Sequence, residues 1–198
     1  MTFIDAVTRG ILEDDANASR PALADADRPT LVMGIGNVLQ GDDGVGVHAI
    51  HRLQNSIADW PGLRLYDAGT LGTTLLVEIE QADRLVFIDA MRMGSTPGTV
   101  RCFEDEEMDL WLRRSKAGSV HEVGLSELLD LARLEERLPR RRALVGIEPG
   151  YIGWGDSLSD ELASVLEEVE RVVVQMLRKW NLNIFLAVND EDFQGPGA

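Results

Sequence analysis

Arg84-Leu85-Val86-Phe87-Ile88-Asp89 places four apolar side chains in succession and then a carboxylate. A strand turns alternate side chains to opposite faces, so a run that is apolar at both parities has to be covered on both sides. Parallel strands sandwiched between helices meet that demand.

The rest of the chain supplies matching elements. Leu31-Val32-Met33 is a second apolar strand, and Val45, Val47, Ile50 and Leu53 follow at helical spacing in a helix expected over residues 43 to 54. Leu63-Arg64-Leu65-Tyr66 reads as a short strand closed by the turn Asp67-Ala68-Gly69-Thr70, and Thr70 to Glu80 as a helix burying Leu71, Leu75, Leu76 and Ile79. After Gly94-Ser95-Thr96-Pro97-Gly98, Thr99 to Phe103 reads as a further strand, with an antiparallel place at a sheet edge open to it. A loop with Ser119-Val120-His121-Glu122 leads into a helix carrying Leu125, Leu128, Leu129 and Leu131. Ala143 to Ile147 is the last core strand, stopped by Glu148-Pro149-Gly150. The final helix keeps Leu162, Val165, Leu166, Val169, Val172, Val173, Met176 and Leu177 on one face, its start marked by Ser157, Ser159, Asp160 and Glu161. This alternation predicts a single three-layer α/β/α domain with a mainly parallel twisted sheet, over residues 30–180. Residues 1–29, with Glu13-Asp14-Asp15 and prolines at 21 and 29, read as a mobile extension. Residues 181–198 read as a tail in which Ile184-Phe185-Leu186-Ala187-Val188 is an edge strand or an interaction segment.

At 198 residues and 44% hydrophobic composition the chain can bury one substantial core. Its net charge of −15 argues against nucleic acid and against anionic membrane as partners, since both are polyanions. The single cysteine, Cys102, leaves no internal disulfide, and no stretch has the features of a signal peptide or the length of a membrane span. These features point to the cytoplasm.

The segment Gly34-Ile35-Gly36-Asn37-Val38-Leu39-Gln40-Gly41-Asp42-Asp43-Gly44-Val45-Gly46 has the strand, glycine turn and helix of a phosphate cradle. A phosphate-binding loop needs Lys and Ser/Thr where this chain has Asp42 and Asp43, and a dinucleotide fingerprint needs glycine where it has Leu39. Such a loop repels phosphate and suits a cation. The plain alternative is that Asp42 or Asp43 caps the following helix.

Asp43 and Asp89 each follow a strand of the expected parallel sheet, so both carboxylates are expected in one surface cleft at its carboxyl edge. With His121 they would make an oxygen-rich site that suits a first-row transition metal better than Ca²⁺. Taken alone, His121 is an ordinary surface or capping histidine, and His48 and His51 fall inside the first helix pattern. His121-Glu122 lacks the second histidine of a zinc protease helix, no G-x-S-x-G elbow occurs, and Cys102 on its strand reads as a structural thiol. Arg137, Arg140, Arg141 and Arg142 suggest a solvated basic loop or a grip for an acidic partner. Asp67 either lines the cleft or shapes the turn before Gly69, and Trp154 either docks a partner or packs its own loop.

Taken in order, Gly34 to Leu39 with Asp42 to Gly46, Asp67-Ala68-Gly69-Thr70-Leu71-Gly72, Ile88-Asp89-Ala90 with Pro97-Gly98, His121-Glu122-Val123-Gly124-Leu125 and Val145-Gly146-Ile147-Glu148-Pro149 resemble the hydrogenase maturation proteases. The likeness spans about residues 31 to 178. It implies an endopeptidase, aspartic-type or metal-assisted, that removes the C-terminal extension from the [NiFe]-hydrogenase large-subunit precursor. It further implies that Asp43, Asp89 and His121 contact nickel, which the precursor itself supplies. One departure stands out: the family more often has Glu at the position of Asp43. The competing expectation is a non-enzymatic nickel-recognition or assembly chaperone using the same cleft.

Overall fold

The computed structural model describes residues 28–57, 60–70, 74–114, 120–180 and 182, without the side chains of residues 120–123. Five strands, β1 (Thr30–Ile35), β2 (Leu63–Gly69), β3 (Arg84–Ala90), β4 (Val100–Glu104) and β5 (Arg141–Ile147), form one sheet in the order β2-β1-β3-β5-β4. All neighbours are parallel except β4, which runs antiparallel to β5 at the edge. The helices are α1 (Val45–Ser56), α2 (Leu75–Glu80), α3 (Asp105–Arg114), α4 (Val120–Leu134) and α5 (Asp160–Lys179), and a single 3-10 turn, Asp42–Gly44, precedes α1.

Strand parity divides the core into two layers. Val32, Val86, Ile88, Val145 and Ile147 pack with α1 and α5 on one face. Leu31, Met33, Leu85, Phe87 and Leu144 pack with α2, α3 and α4 on the other. The three-layer arrangement expected from the double-parity run is therefore present, and each fully buried Leu or Phe in it contributes roughly 2 kcal/mol. Buried Glu170 of α5 accepts a 2.6 Å hydrogen bond from Arg52 Nε of α1, which ties the two helices of the first layer together. α5 begins as expected, with Ser159 as its N-cap accepting the Leu162 N–H.

Several local expectations are corrected. β2 does not stop at Tyr66, because Asp67 and Gly69 continue the ladder against Gly34 and Ile35 across a bulge in the register. The helix expected from Thr70 begins at Leu75, and residues 71–73 lie outside the described set. Neither Asp42 nor Asp43 caps α1, whose N-cap is Gly44 with no side-chain cap. α3 was not expected at all: it buries only Met108 and Leu112, a two-residue stripe, and is marked instead by Asp105, Glu106 and Glu107 at its start and Arg113 and Arg114 at its end. The arginine group is a solvated loop only in part: Arg137 is exposed, whereas the other three are engaged. Arg140 donates to Asp83 at 2.6 Å, Arg141 lies 3.3 Å from Asp105, and Arg142 makes two bonds to Asp109 at 2.9 and 2.6 Å. The expected extension at 1–29 is described only from residue 28, and the apolar segment 184–188 lies outside the described residues.

One side chain joins the loop after β1 to the loop after β5. Asp42 is fully buried, and its Oδ2 accepts the N–H groups of Gly150 (2.8 Å) and Tyr151 (2.7 Å) and the Ser159 hydroxyl (3.0 Å). Its Oδ1 accepts the Ser159 N–H at 2.7 Å. Burial pushes this carboxyl up, but the bonds from Tyr151, Ser159 and Gly150 outweigh it and hold the group below its ordinary value of 3.8. Four donors converge on two oxygens, so an amide there turns an NH₂ towards N–H groups. Asp42→Asn is expected to cost about 2–4 kcal/mol at pH 7, as hydrogen bonds to a charged group are lost. Because the folded-state pKa is lowered, this stabilisation is present above pH 3.8 and is lost as pH falls through the folded value. Urea titrations at pH 7 and pH 3 should therefore show the gap between variant and parent closing in acid, and an equal gap at both would refute the assignment.

Candidate active site

β1 and β3 are parallel neighbours, with Gly34 opposite Ile88, so their carboxyl ends lie side by side. Two glycines let the chain fold back over these ends. A Cβ on Gly36, whose φ is +138°, would lie 1.8 Å from the Asp43 carbonyl oxygen. One on Gly46 would lie 2.2 Å from the Ile88 carbonyl oxygen. The glycines thus serve close approach of the turn and of α1 to the strands.

This packing sets the 3-10 turn Asp42–Gly44 against β3. Asp43 is 8% exposed, and its Oδ2 accepts the Asn37 N–H at 2.9 Å, while the Asn37 side chain accepts the Leu39 N–H at 3.0 Å. Asp89, the penultimate residue of β3, is 1% exposed. Parity puts Asp89 with Leu85 and Phe87 on the face covered by α2, α3 and α4. Both carboxylates stand at the carboxyl edge, but the expectation of a surface position is corrected: each is buried.

His121 was expected in a loop and instead lies on the first turn of α4. Its imidazole is outside the described residues. α4 packs along the face shared with Asp89 through Leu125, Leu128, Leu129 and Ala132. Its far end leads to Arg140, whose N–H bonds the carbonyl of Asp83 just before β3. A helix of 15 residues is about 22 Å long, so the start of α4 points back towards the carboxyl edge. Among the described residues, no three His, Cys, Asp or Glu side chains form a group able to hold a metal.

Two further acidic groups shape the edge, and sequence reasoning gave them no such role. Asp42 clamps the loop after β5. Glu148, read only as a strand stop, is buried and accepts the N–H groups of Met93 (2.7 Å) and Ser95 (2.9 Å), fixing the loop that follows Asp89. A carboxylate immediately after an apolar strand was the available signal. Asp67 bonds the Gly69 N–H at 2.9 Å, so it shapes the turn, and its other oxygen lies 3.2 Å from His51 Nε2. His48 is shifted below its ordinary value by burial and by the neighbouring His51. On β4, burial pushes the Cys102 thiol up to about 12, which removes it as a nucleophile at neutral pH.

The open, mainly parallel sheet is shared with known proteins. Residues 47–177 match the family model described as hydrogenase maturation protease. The chain is 36% identical over 151 residues to the hydrogenase expression/formation protein HoxM of Cupriavidus necator, covering 76% of this chain and 74% of that protein. It is 29% identical over 150 residues to the hydrogenase 2 maturation protease of Escherichia coli K12, covering 75% and 90%. The solved structure of the hydrogenase maturating endopeptidase HybD from E. coli matches with a TM-score of 0.75 at 26% identity, over 80% of this chain and 98% of that one. Family model, relatives and fold agree, and the chain belongs to the hydrogenase maturation protease family.

Proposed function

We propose that the chain is the endopeptidase that removes the C-terminal extension of a [NiFe]-hydrogenase large-subunit precursor once nickel has been installed there. The observation that carries this reading is the placement of Asp43 and Asp89, two buried carboxylates, at one carboxyl edge in a member of this protease family. In this reading Asp43, Asp89 and His121 contact nickel, and the metal belongs to the substrate. Two carboxylates and one imidazole leave coordination positions open and contain no thiolate, so affinity for free Ni²⁺ is modest, and substrate thiolates complete the set. Recognition and metal loading then become one event. The metal brought by the precursor would polarise the scissile carbonyl or activate water, or Asp43 or Asp89 would instead take the proton of the attacking water as general base. No helix among the described residues is long and apolar enough to cross a membrane, and the single cysteine suits a reducing compartment, so we place the reaction in the cytoplasm.

Metal-stripped enzyme incubated with nickel-loaded and nickel-free precursor is expected to release the extension, seen as a mass loss, only from the loaded form. Equal cleavage of both sinks the nickel-reading mechanism. Binding of loaded precursor without any mass loss favours the chaperone reading instead.

Asp43→Asn and His121→Ala are each expected to slow processing by at least about 100-fold, since even groups that only support a metal ligand cost 10–100-fold when changed. Because Asp43 is buried and bonded, Asp43→Asn also loses about 1 kcal/mol of stability. Asp43→Glu keeps measurable activity. Processing at the parent rate by both loss-of-ligand variants would remove these residues from the site.

A further inference from the structure

The loop after β5 meets the loop after β1 in a short ribbon. Gly41 N–H bonds Gly155 O (2.9 Å), Asp42 N–H bonds Tyr151 O (3.0 Å) and Gly155 N–H bonds Leu39 O (3.1 Å). With Asp42 bonded beneath it, the ribbon is held from both sides, yet it turns large apolar side chains outward. Leu39 is 54% exposed, Tyr151 59% and Trp154 85%. The Tyr151 ring lies over Gly153, where a Cβ would come within 2.4 Å of its hydroxyl oxygen. Trp154 therefore does not pack the loop against the core.

A rigid ribbon that exposes aromatics is built for contact, because ordering costs have already been met by the fold. Its occupant follows from charge and position. Asp156, Asp160 and Glu161 are exposed on the same loop and at the start of α5, and the chain carries −15 overall. A second copy brings the same negative charge to the same place and is opposed. The ribbon also runs directly through Gly41 and Asp42 into Asp43, so whatever docks there is delivered to the carboxyl edge. We propose that Leu39, Tyr151 and Trp154 form a docking platform for an apolar segment of the precursor flanked by basic residues, a proposal that rests on the precursor being the substrate.

The test measures binding and cleavage separately, with nickel-loaded precursor as the probe. Trp154→Ala and Asp156→Lys are compared with the parent chain, with melting curves to show that the exposed substitutions leave the fold intact. Trp154→Ala is expected to raise Kd and KM about tenfold with kcat changed by less than about twofold, the loss typical of a hot-spot aromatic. Asp156→Lys should weaken binding at low salt and converge with the parent at high salt. Parent Trp emission should shift to the blue on adding precursor, and the shift should be absent in Trp154→Ala. Unchanged Kd and KM in a Leu39→Ala, Trp154→Ala double variant overturns the platform. Self-association of the parent that Trp154→Ala abolishes also overturns it, in favour of a second copy. If the parent binds precursor but cleaves none, the endopeptidase reading fails, while Kd of the variants still decides the platform.

Discussion

Four hydrogen bonds converging on a carboxylate from which water is excluded hold the carboxyl edge together. Asp42 joins the segment after β1, the segment after β5 and the N-cap of α5. The segment it grips, from Gly150 to Gly155, has no regular structure of its own and contains Gly150, Gly153 and Gly155, so its backbone has much freedom to lose. A charged acceptor compensates for that loss more strongly than a neutral one. The bonds from Ser159 also set a negative charge at the start of α5, where the helix dipole favours it.

The same turn explains why two adjacent aspartates do different work. Successive residues of a 3-10 turn are rotated by about 120°, so side chains at 42 and 43 leave in different directions. Asp42 points to the donors of the loop after β5. Asp43 points to Asn37 and lies beside the end of β3. A pair that looks like a doubled cation ligand in sequence thus divides into one group committed to structure and one left at the candidate site. Three carboxylates near this edge, Asp43, Asp89 and Glu148, are all buried, so each is largely withdrawn from bulk water.

What the sequence reveals follows the range of the interactions. β1, β3, β5 and α5 were legible because their apolar patterns are local and long, and the acidic residue after each strand locates Asp43 and Asp89 at one edge. α3 was not legible because two buried residues leave too short a period. The end of β2 depends on a bulge in its pairing with β1, a contact between segments about 30 residues apart that no local pattern encodes. Asp42 lies 108 to 117 positions from its donors, and Arg140 lies 57 from Asp83, so their pairing exists only in the folded chain. His121 sits one residue into a helix that begins at Val120, and Ser119-Val120-His121-Glu122 has the S-x-x-E pattern of a capping box, a local signal that the loop reading of this stretch passed over.

Charge use extends the same logic to recognition. The chain has 34 acidic and 19 basic residues, so complete one-to-one pairing would still leave fifteen carboxylates in excess. Many of the cations are already engaged inside the molecule, as Arg52 with Glu170, Arg142 with Asp109 and Lys179 with Glu104 show. The outward field is therefore negative, and it attracts basic surfaces. At physiological ionic strength that field fades within about 8 Å, so it can bias approach but cannot fix orientation. Orientation has to come from short-range, shape-dependent contact, and at this edge the exposed apolar groups Leu39, Tyr151 and Trp154 are able to provide it.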